Sequence, residues 1–194
     1  TQGEPKVTDV LAAEGYTEQE LLSYAAALEE KSEHPLATAV LAYASQREIT
    51  ASGEAAEFEA LPGNGLTASL AGERVYGGNL AFIGTKVSVP EAVRTRAETL
   101  AEEGKTPLFF ARGGKLLGTI AVADVIKEES PRAVRELQNM GIHVVMLTGD
   151  NARTARAIGR LAGVDEVIAG VLPDGKERVI RKLQEKGKVA MVGD

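Results

Sequence analysis

Two hydrophobic periods divide the chain. From about Thr17 apolar residues recur at helical spacing: Leu21, Tyr24, Ala25 and Leu28 fall at i, i+3, i+4 and i+7, and Leu36, Ala39, Val40 and Tyr43 repeat the pattern. SEHP lies between the two sets. Pro35 suits the first turn of a helix, where a missing N–H costs nothing, so Ser32 to Pro35 is expected to be a helix–helix junction. From Glu57 to Gly78 the period shortens into the Gly-bounded pieces EFEALP, GLTASLA and ERVYGG, with a tight turn expected at Ala71-Gly72. A third helix is expected over roughly Pro90 to Glu103, stopping at Gly104. PLFFAR and KLLGTIAVAD follow, joined by Gly113-Gly114, a strong two-residue hairpin signal. Together these segments predict an antiparallel sheet with helices packed on it.

After Gly118 the pattern changes. TIAVA, HVVML, VIAG and KVAMV are short continuous apolar runs, separated by amphipathic stretches that predict helices over roughly Ser130–Met140, Ala152–Ala162 and Gly175–Glu185. Buried strands alternating with crossover helices predict a parallel α/β sheet. The first eight residues, TQGEPKVT, are polar and turn-like. The break near Leu117 is therefore expected to be a domain boundary. So few strands make a poor open sheet, and at least one more is expected from outside this stretch of sequence. The α+β unit is then an insertion: residues 1–8 and 118–194 would form the α/β domain, and residues 9–117 the inserted one.

Composition narrows the class. The 194 residues carry 22 Lys+Arg against 28 Asp+Glu, a net charge of −6, with 44% hydrophobic and 26% charged residues. Those fractions fit a globular protein and argue against disorder or a coiled coil. The acidic balance argues against nucleic acid as a partner, because no basic excess exists to release phosphate counterions. With no cysteine, disulfides, thiol catalysis and Cys-ligated metal are excluded. No apolar run approaches the ~18–20 residues of a membrane helix, and the first residues show no secretory signal pattern. Twenty-one glycines and only 4% aromatics favour places where backbone approaches something closely.

In parallel sheets, ligands sit at the carboxyl ends of strands, near unpaired N–H groups of helix N-termini. Thr148-Gly149-Asp150-Asn151 follows HVVML, Asp194 follows KVAMV, and Lys176 opens the helix after VIAGVLPDG. A hydroxyl, a bare backbone N–H, carboxylates and one ammonium suit a phosphate with Mg²⁺. Asp150 or Asn151 could equally be a helix cap. His34 reads either as a capping or solvated residue at the junction, or as a planar ring offered to a ligand base. His143 opens a strand and reads as structural. Gly63-Asn64-Gly65 and Gly77-Gly78-Asn79 are either strand-end turns or bare backbone for a flat ligand, and GNGLTA lacks the third glycine of a dinucleotide fingerprint.

Taken in order, SEHPL, LPGNGL, YGGN, TGDN, LPDGK and a terminal MVGD resemble the cytosolic nucleotide-binding and phosphorylation domains of heavy-metal-transporting P-type ATPases. The resemblance covers essentially the whole chain. It implies a haloacid-dehalogenase-like parallel-sheet domain with an inserted α+β nucleotide-binding domain. Glu29 and His34 would recognise adenine, Gly63 and Gly65 would let the nucleotide approach the backbone, and Gly78 and Asn79 would line the same pocket. Asp124, in ADVIK, would support the nucleotide from a hinge strand. Thr148, Gly149 and Asp150 would surround the transferred phosphoryl group, Lys176 would pair with it, and Asp194 would help to hold Mg²⁺. The opening TQGEPKV resembles the stretch after the family's DKTGTLT motif. The nucleophilic Asp of that motif is not in this sequence, so the chain is expected to bind ATP or ADP without forming an aspartyl-phosphate. The resemblance further implies a place at the cytosolic face of a membrane, with membrane helices and an actuator domain of the same polypeptide as partners and a transported metal ion, copper first. A soluble phosphatase of the haloacid dehalogenase superfamily and a non-catalytic nucleotide-binding module are the alternatives.

Overall fold

The computed structural model describes residues 5–124, 126–149, 152–171 and 173–193. The chain forms two compact units, Thr1–Lys127 and Glu128–Asp194. The first is built on a six-stranded antiparallel sheet of order β1-β6-β5-β4-β3-β2. Its strands are β1 (Pro5–Ala12), β2 (Ala56–Leu61), β3 (Gly65–Leu70), β4 (Glu73–Gly78), β5 (Thr106–Arg112) and β6 (Lys115–Asp124). Both tight turns fall where the sequence put them. Ala71-Gly72 and Gly113-Gly114 all have positive φ, the requirement of a two-residue hairpin whose twist matches its strands.

Four helices cover the sheet: α1 (Glu18–Glu29), α2 (Pro35–Gln46), α3 (Leu80–Gly84) and α4 (Glu91–Glu102). Local chemistry fixes the start of α1. The Thr17 hydroxyl accepts from the Glu20 N–H at 3.1 Å and the Glu20 carboxylate accepts from the Thr17 N–H at 2.8 Å, a reciprocal capping box. Side chains alternate across the sheet, so two cores form. Phe110 and Leu117 pack with Leu21, Leu28 and Val40 of α1 and α2, whereas their neighbours Phe109 and Leu116 pack with Phe82, Ile83 and Ala97 of α3 and α4.

Two expectations change here. Residues 5–8 are not a turn: from Pro5 onward the chain forms β1, which pairs antiparallel with β6 from Pro5↔Asp124 to Ala12↔Gly118, and residues 1–4 of that expectation lie outside the described residues. Nor does TIAVA enter a parallel sheet, because it is the second half of β6, bonded to β1 on one side and β5 on the other. The break at Leu117 therefore lies inside a continuous strand, and the compact units divide ten residues later.

A polar tie fastens β1 to the loop after α4. Lys105 Nζ donates to the Asp9 carboxylate at 2.8 Å and reaches Glu103 at 2.7 Å, and Arg96 stands 3.7 Å from Asp9. Burial alone would raise the Asp9 pKa, but hydrogen bonds from Lys105 and Thr8, with the charges of Lys105 and Arg96, outweigh it and hold the carboxyl below its usual range. The tie therefore contributes above the ordinary carboxylate pKa and is lost as pH falls through the depressed value. We expect Asp9→Asn to cost about 2 kcal/mol at pH 7 and nothing at acid pH. Urea unfolding followed by tyrosine emission checks this, because all four tyrosines, Tyr16, Tyr24, Tyr43 and Tyr76, lie in the first unit and the chain has no Trp.

The second unit alternates α5 (Ser130–Asn139), β7 (Val145–Leu147), α6 (Ala152–Ala162), β8 (Glu166–Ile168) and α7 (Pro173–Gln184). β7 and β8 pair in parallel, Val145↔Glu166 to Leu147↔Ile168, as the crossover pattern predicted. Gly159 lets α6 lie on that pair, since a Cβ there would stand 2.3 Å from Val167 Cγ2. The fourth expected strand, KVAMV, takes no strand pairing among the described residues.

Candidate functional site

A cavity of about 800 Å³ opens in the first unit between the α1–α2 junction, the β2–β3 turn and the end of β4. Glu29, His34, Gly63, Gly65, Gly78 and Asn79 all line it, although they are separated by up to half a hundred positions in sequence. The remaining walls are largely apolar, with Leu36, Phe58, Leu61, Leu66 and Leu108 prominent. An apolar concavity with a few convergent polar groups is the usual form of a small-molecule site.

Each of the six residues is placed by its element. Glu29 is the last residue of α1 and is 6% exposed. Burial penalises its ionised form and raises its pKa to about 7, against an opposing hydrogen bond from the Ser32 side chain. His34 is the N-cap of α2, and its Nδ1 accepts from the Leu36 N–H at 3.2 Å. Histidine is an uncommon cap, and the bond has a chemical consequence: with Nδ1 an acceptor, the neutral ring carries its proton on Nε2. His34 is thus a helix cap that also lies on the cavity wall.

The glycines and Asn79 do structural work at the same place. Gly65 and Gly78 face each other across β3 and β4, and Asn79 Nδ2 donates to the Gly63 carbonyl at 2.9 Å while its Oδ1 accepts from the Phe82 N–H at 2.9 Å. Asn79 therefore caps α3 and pins the Gly63 turn that forms the cavity rim. Gly63 has φ +76°, a backbone conformation that glycine enters without strain.

Asp124 is apart from this group. It ends β6 opposite Pro5, is not on the cavity wall, and has a buried Oδ1 without a hydrogen-bond partner among the described residues. Sequence reasoning passed over the apolar walls and Ser32. Phe58, a lone aromatic in the acidic strand EFEAL, was the available signal for the walls.

In the second unit, Thr148 and Gly149 follow the carboxyl end of β7. The Thr148 N–H donates to the Ile168 carbonyl at 3.0 Å and its carbonyl accepts from the Val171 N–H at 3.1 Å, which locks this turn to the segment leading into α7. Lys176 lies in the first turn of α7. Asp150 and Asp194 lie outside the described residues. Among the described residues no three His, Cys, Asp or Glu side chains converge as a metal site.

The chain belongs to the haloacid dehalogenase-like hydrolases, whose family model matches residues 1–194. Within that large class it is similar to P-type ATPases over its whole length. It is 45% identical to a copper-transporting ATPase 1 of Rhizobium meliloti (strain 1021), with 100% of this chain aligned to 24% of that protein. The crystal structure of a zinc-transporting PIB-type ATPase in an E2.Pi state superposes with TM-score 0.89 and 36% identity, covering 99% of this chain and 31% of the other. The catalytic domain of a CPx-ATPase, CopB-B, shares the fold at TM-score 0.70 and 22% identity, covering 100% of this chain and 68% of the other. The chain thus spans about a quarter of the length of the curated relative it matches. No helix among the described residues is long and apolar enough to cross a membrane.

Proposed function

We propose that this chain is the ATP-handling part of a P-type ATPase that moves a heavy-metal cation, copper first, across a membrane. The observation that carries the reading is the gathering of Glu29, His34, Gly63, Gly65, Gly78 and Asn79 around one cavity. In it, a buried carboxylate supplies a hydrogen-bond acceptor and the His34 Nε2–H supplies a donor. An exocyclic amine beside a ring nitrogen, as on adenine, offers the complementary pair. The apolar walls take the flat faces of the base, and Gly63 leaves the rim open. Asn79 holds that rim through one hydrogen bond at each end of its amide.

In the second unit, Thr148 and Gly149 at the end of β7 offer a hydroxyl and a backbone N–H to phosphoryl oxygens, and Lys176 offers a neutralising charge. On this reading Asp150 would join them and Asp194 would help to hold Mg²⁺. Mg²⁺ in phosphoryl-transfer sites takes one or two carboxylates together with substrate oxygens, so a preformed protein-only cluster is not required. When bound, it would offset negative charge on the phosphates. Asp124 does not line the cavity and takes at most a supporting place at the end of β6. The nucleophile, membrane helices, actuator domain and metal ligands belong to the rest of such a polypeptide. Aligned copper-transporting and zinc-transporting proteins leave both cations as candidates, and the 45% identity to a copper transporter favours copper.

Calorimetric titration of this chain with ATP, ADP and GTP, with and without Mg²⁺, tests the reading. ATP and ADP are expected to bind one-to-one without needing Mg²⁺, and GTP at least about tenfold more weakly, because its base edge reverses donor and acceptor. Absence of binding by every nucleotide refutes it. His34→Asn isolates the ring, since Asn is a good N-cap and preserves the start of α2. We expect unchanged tyrosine-monitored stability and about a tenfold loss of ATP affinity.

A further inference from the structure

Of the four phenylalanines, only Phe58 is left partly open by the fold. Phe82, Phe109 and Phe110 are enclosed at 8%, 1% and 1% exposure, whereas Phe58 is half-buried on the cavity wall. Among the described residues lining that cavity, it alone is a Phe, Tyr or Trp. The backbone bends to bring it there. Ala55, one residue ahead of β2, is 1% exposed in the core that α1 and α2 form with the sheet, and its carbonyl accepts from Lys31 Nζ at 2.5 Å. Phe58 packs against the same core. Side chains alternate along a regular strand, so residues three apart point to opposite faces. An extra residue in β2 breaks that alternation. The register runs Ala56↔Ser69 and then Glu59↔Thr67, which leaves Glu57 and Phe58 together opposite Ala68. The strain falls on Glu57, whose φ of +49° is one that a residue with a Cβ rarely adopts. Without the bulge, a strand anchored at Ala55 would turn Glu57 inward and Phe58 out to solvent.

We propose that Phe58 is a base-stacking residue, the ring on which one flat face of the nucleotide's base rests while Glu29 and His34 read its edge. The inference rests on the adenine reading of the cavity and adds a group that contacts the base face. Strained backbone that sets a side chain on a cavity wall is the usual company of a functional contact. Every base has a π-face, so the ring supplies affinity for any of them, and the two polar groups supply the choice of adenine.

The test combines calorimetric affinities for ADP and GTP with nuclear Overhauser spectroscopy of the ADP complex, on the whole chain, for the parent, Phe58→Leu and Phe58→Trp. We expect Overhauser contacts between adenine H2 or H8 and the Phe58 ring protons, identified by their loss in Phe58→Leu. Phe58→Leu keeps an apolar side chain of similar size and should weaken ADP and GTP alike, each about fivefold. Phe58→Trp should hold ADP within about twofold of the parent and, as the sole Trp of the chain, change its emission when ADP binds. An ADP complex without those Overhauser contacts overturns the stacking, as does a Phe58→Leu affinity equal to the parent's. A Phe58→Leu defect that Phe58→Trp fails to restore, with a lowered urea midpoint in both, assigns the ring to packing and overturns it too. If no nucleotide binds, or if Glu29→Gln and His34→Asn bind ADP as the parent does, the adenine reading falls and the stacking falls with it. If those two lose affinity while Phe58→Leu is silent, only the stacking falls.

Discussion

Glu29→Gln is expected to make the first unit more stable at pH 8 and, in the same molecule, to weaken nucleotide binding about tenfold. The two effects have one cause. Glu29 is buried at the end of α1, and its pKa stands at about 7 against an ordinary 4.5. Below pH 4.5 the carboxyl is protonated in both folded and unfolded chains and contributes no difference. Between 4.5 and about 7 the folded state keeps a proton that the unfolded state releases, so stability falls as pH rises. Above about 7 Glu29 is ionised in both states and the penalty has reached its full size, on the order of 3 kcal/mol for a gap of this width. Glutamine has nearly the same shape but carries no charge to bury. The gain should therefore be large at pH 8 and vanish near pH 4, as read from urea midpoints followed by tyrosine emission. Binding should move the other way, because the proposed charge-assisted hydrogen bond to the base would be lost. A residue that costs stability and serves recognition is the signature of a functional position. A variant that is less stable at pH 8, or whose gain does not depend on pH, would make Glu29 a structural residue.

Local chemistry was the legible part of the sequence. The capping box at Thr17 and Glu20, the Pro35 start of α2, and the turns at Ala71-Gly72 and Gly113-Gly114 each depend on residues a few positions apart. What failed depended on distant partners. β1 was hidden because its opening residues are polar and its partner β6 lies more than a hundred positions away. TIAVA was assigned to the wrong sheet for a physical reason. β6 is covered on both faces, by α1 and α2 on one and α4 on the other, so it lacks the polar alternation of a half-exposed antiparallel strand. The five-residue helix α3 is too short to show a period, and its cap Asn79 also stands on the cavity rim. The cavity residues were legible only as motifs. Nothing in their spacing says that the α1–α2 junction meets the β2–β3 turn, which is a result of sheet order.

Gly65→Ala and Gly78→Ala are expected to destabilise the first unit by about 3 kcal/mol or more, whereas Gly63→Ala should cost only about 1 kcal/mol. All three line the cavity, yet their surroundings differ. A Cβ on Gly65 would stand 2.0 Å from the Gly77 carbonyl oxygen, and one on Gly78 would stand 2.3 Å from the Asn64 carbonyl oxygen and 2.8 Å from Gly65 Cα. These obstacles are backbone, which cannot step aside as a flexible side chain can, so β3 and β4 would have to separate where they frame the cavity. A Cβ on Gly63 meets nothing within 4 Å, and its cost is only the strain of a positive φ. The first two glycines are therefore required by each other before any ligand arrives, and the third is free to serve the ligand. Tyrosine-monitored unfolding together with ADP titration separates these roles. We expect Gly65→Ala and Gly78→Ala to lose stability and binding together, and Gly63→Ala to retain most of its stability while affinity falls by several fold. If Gly65→Ala folded with parental stability and lost only binding, its bare Cα would belong to the nucleotide after all.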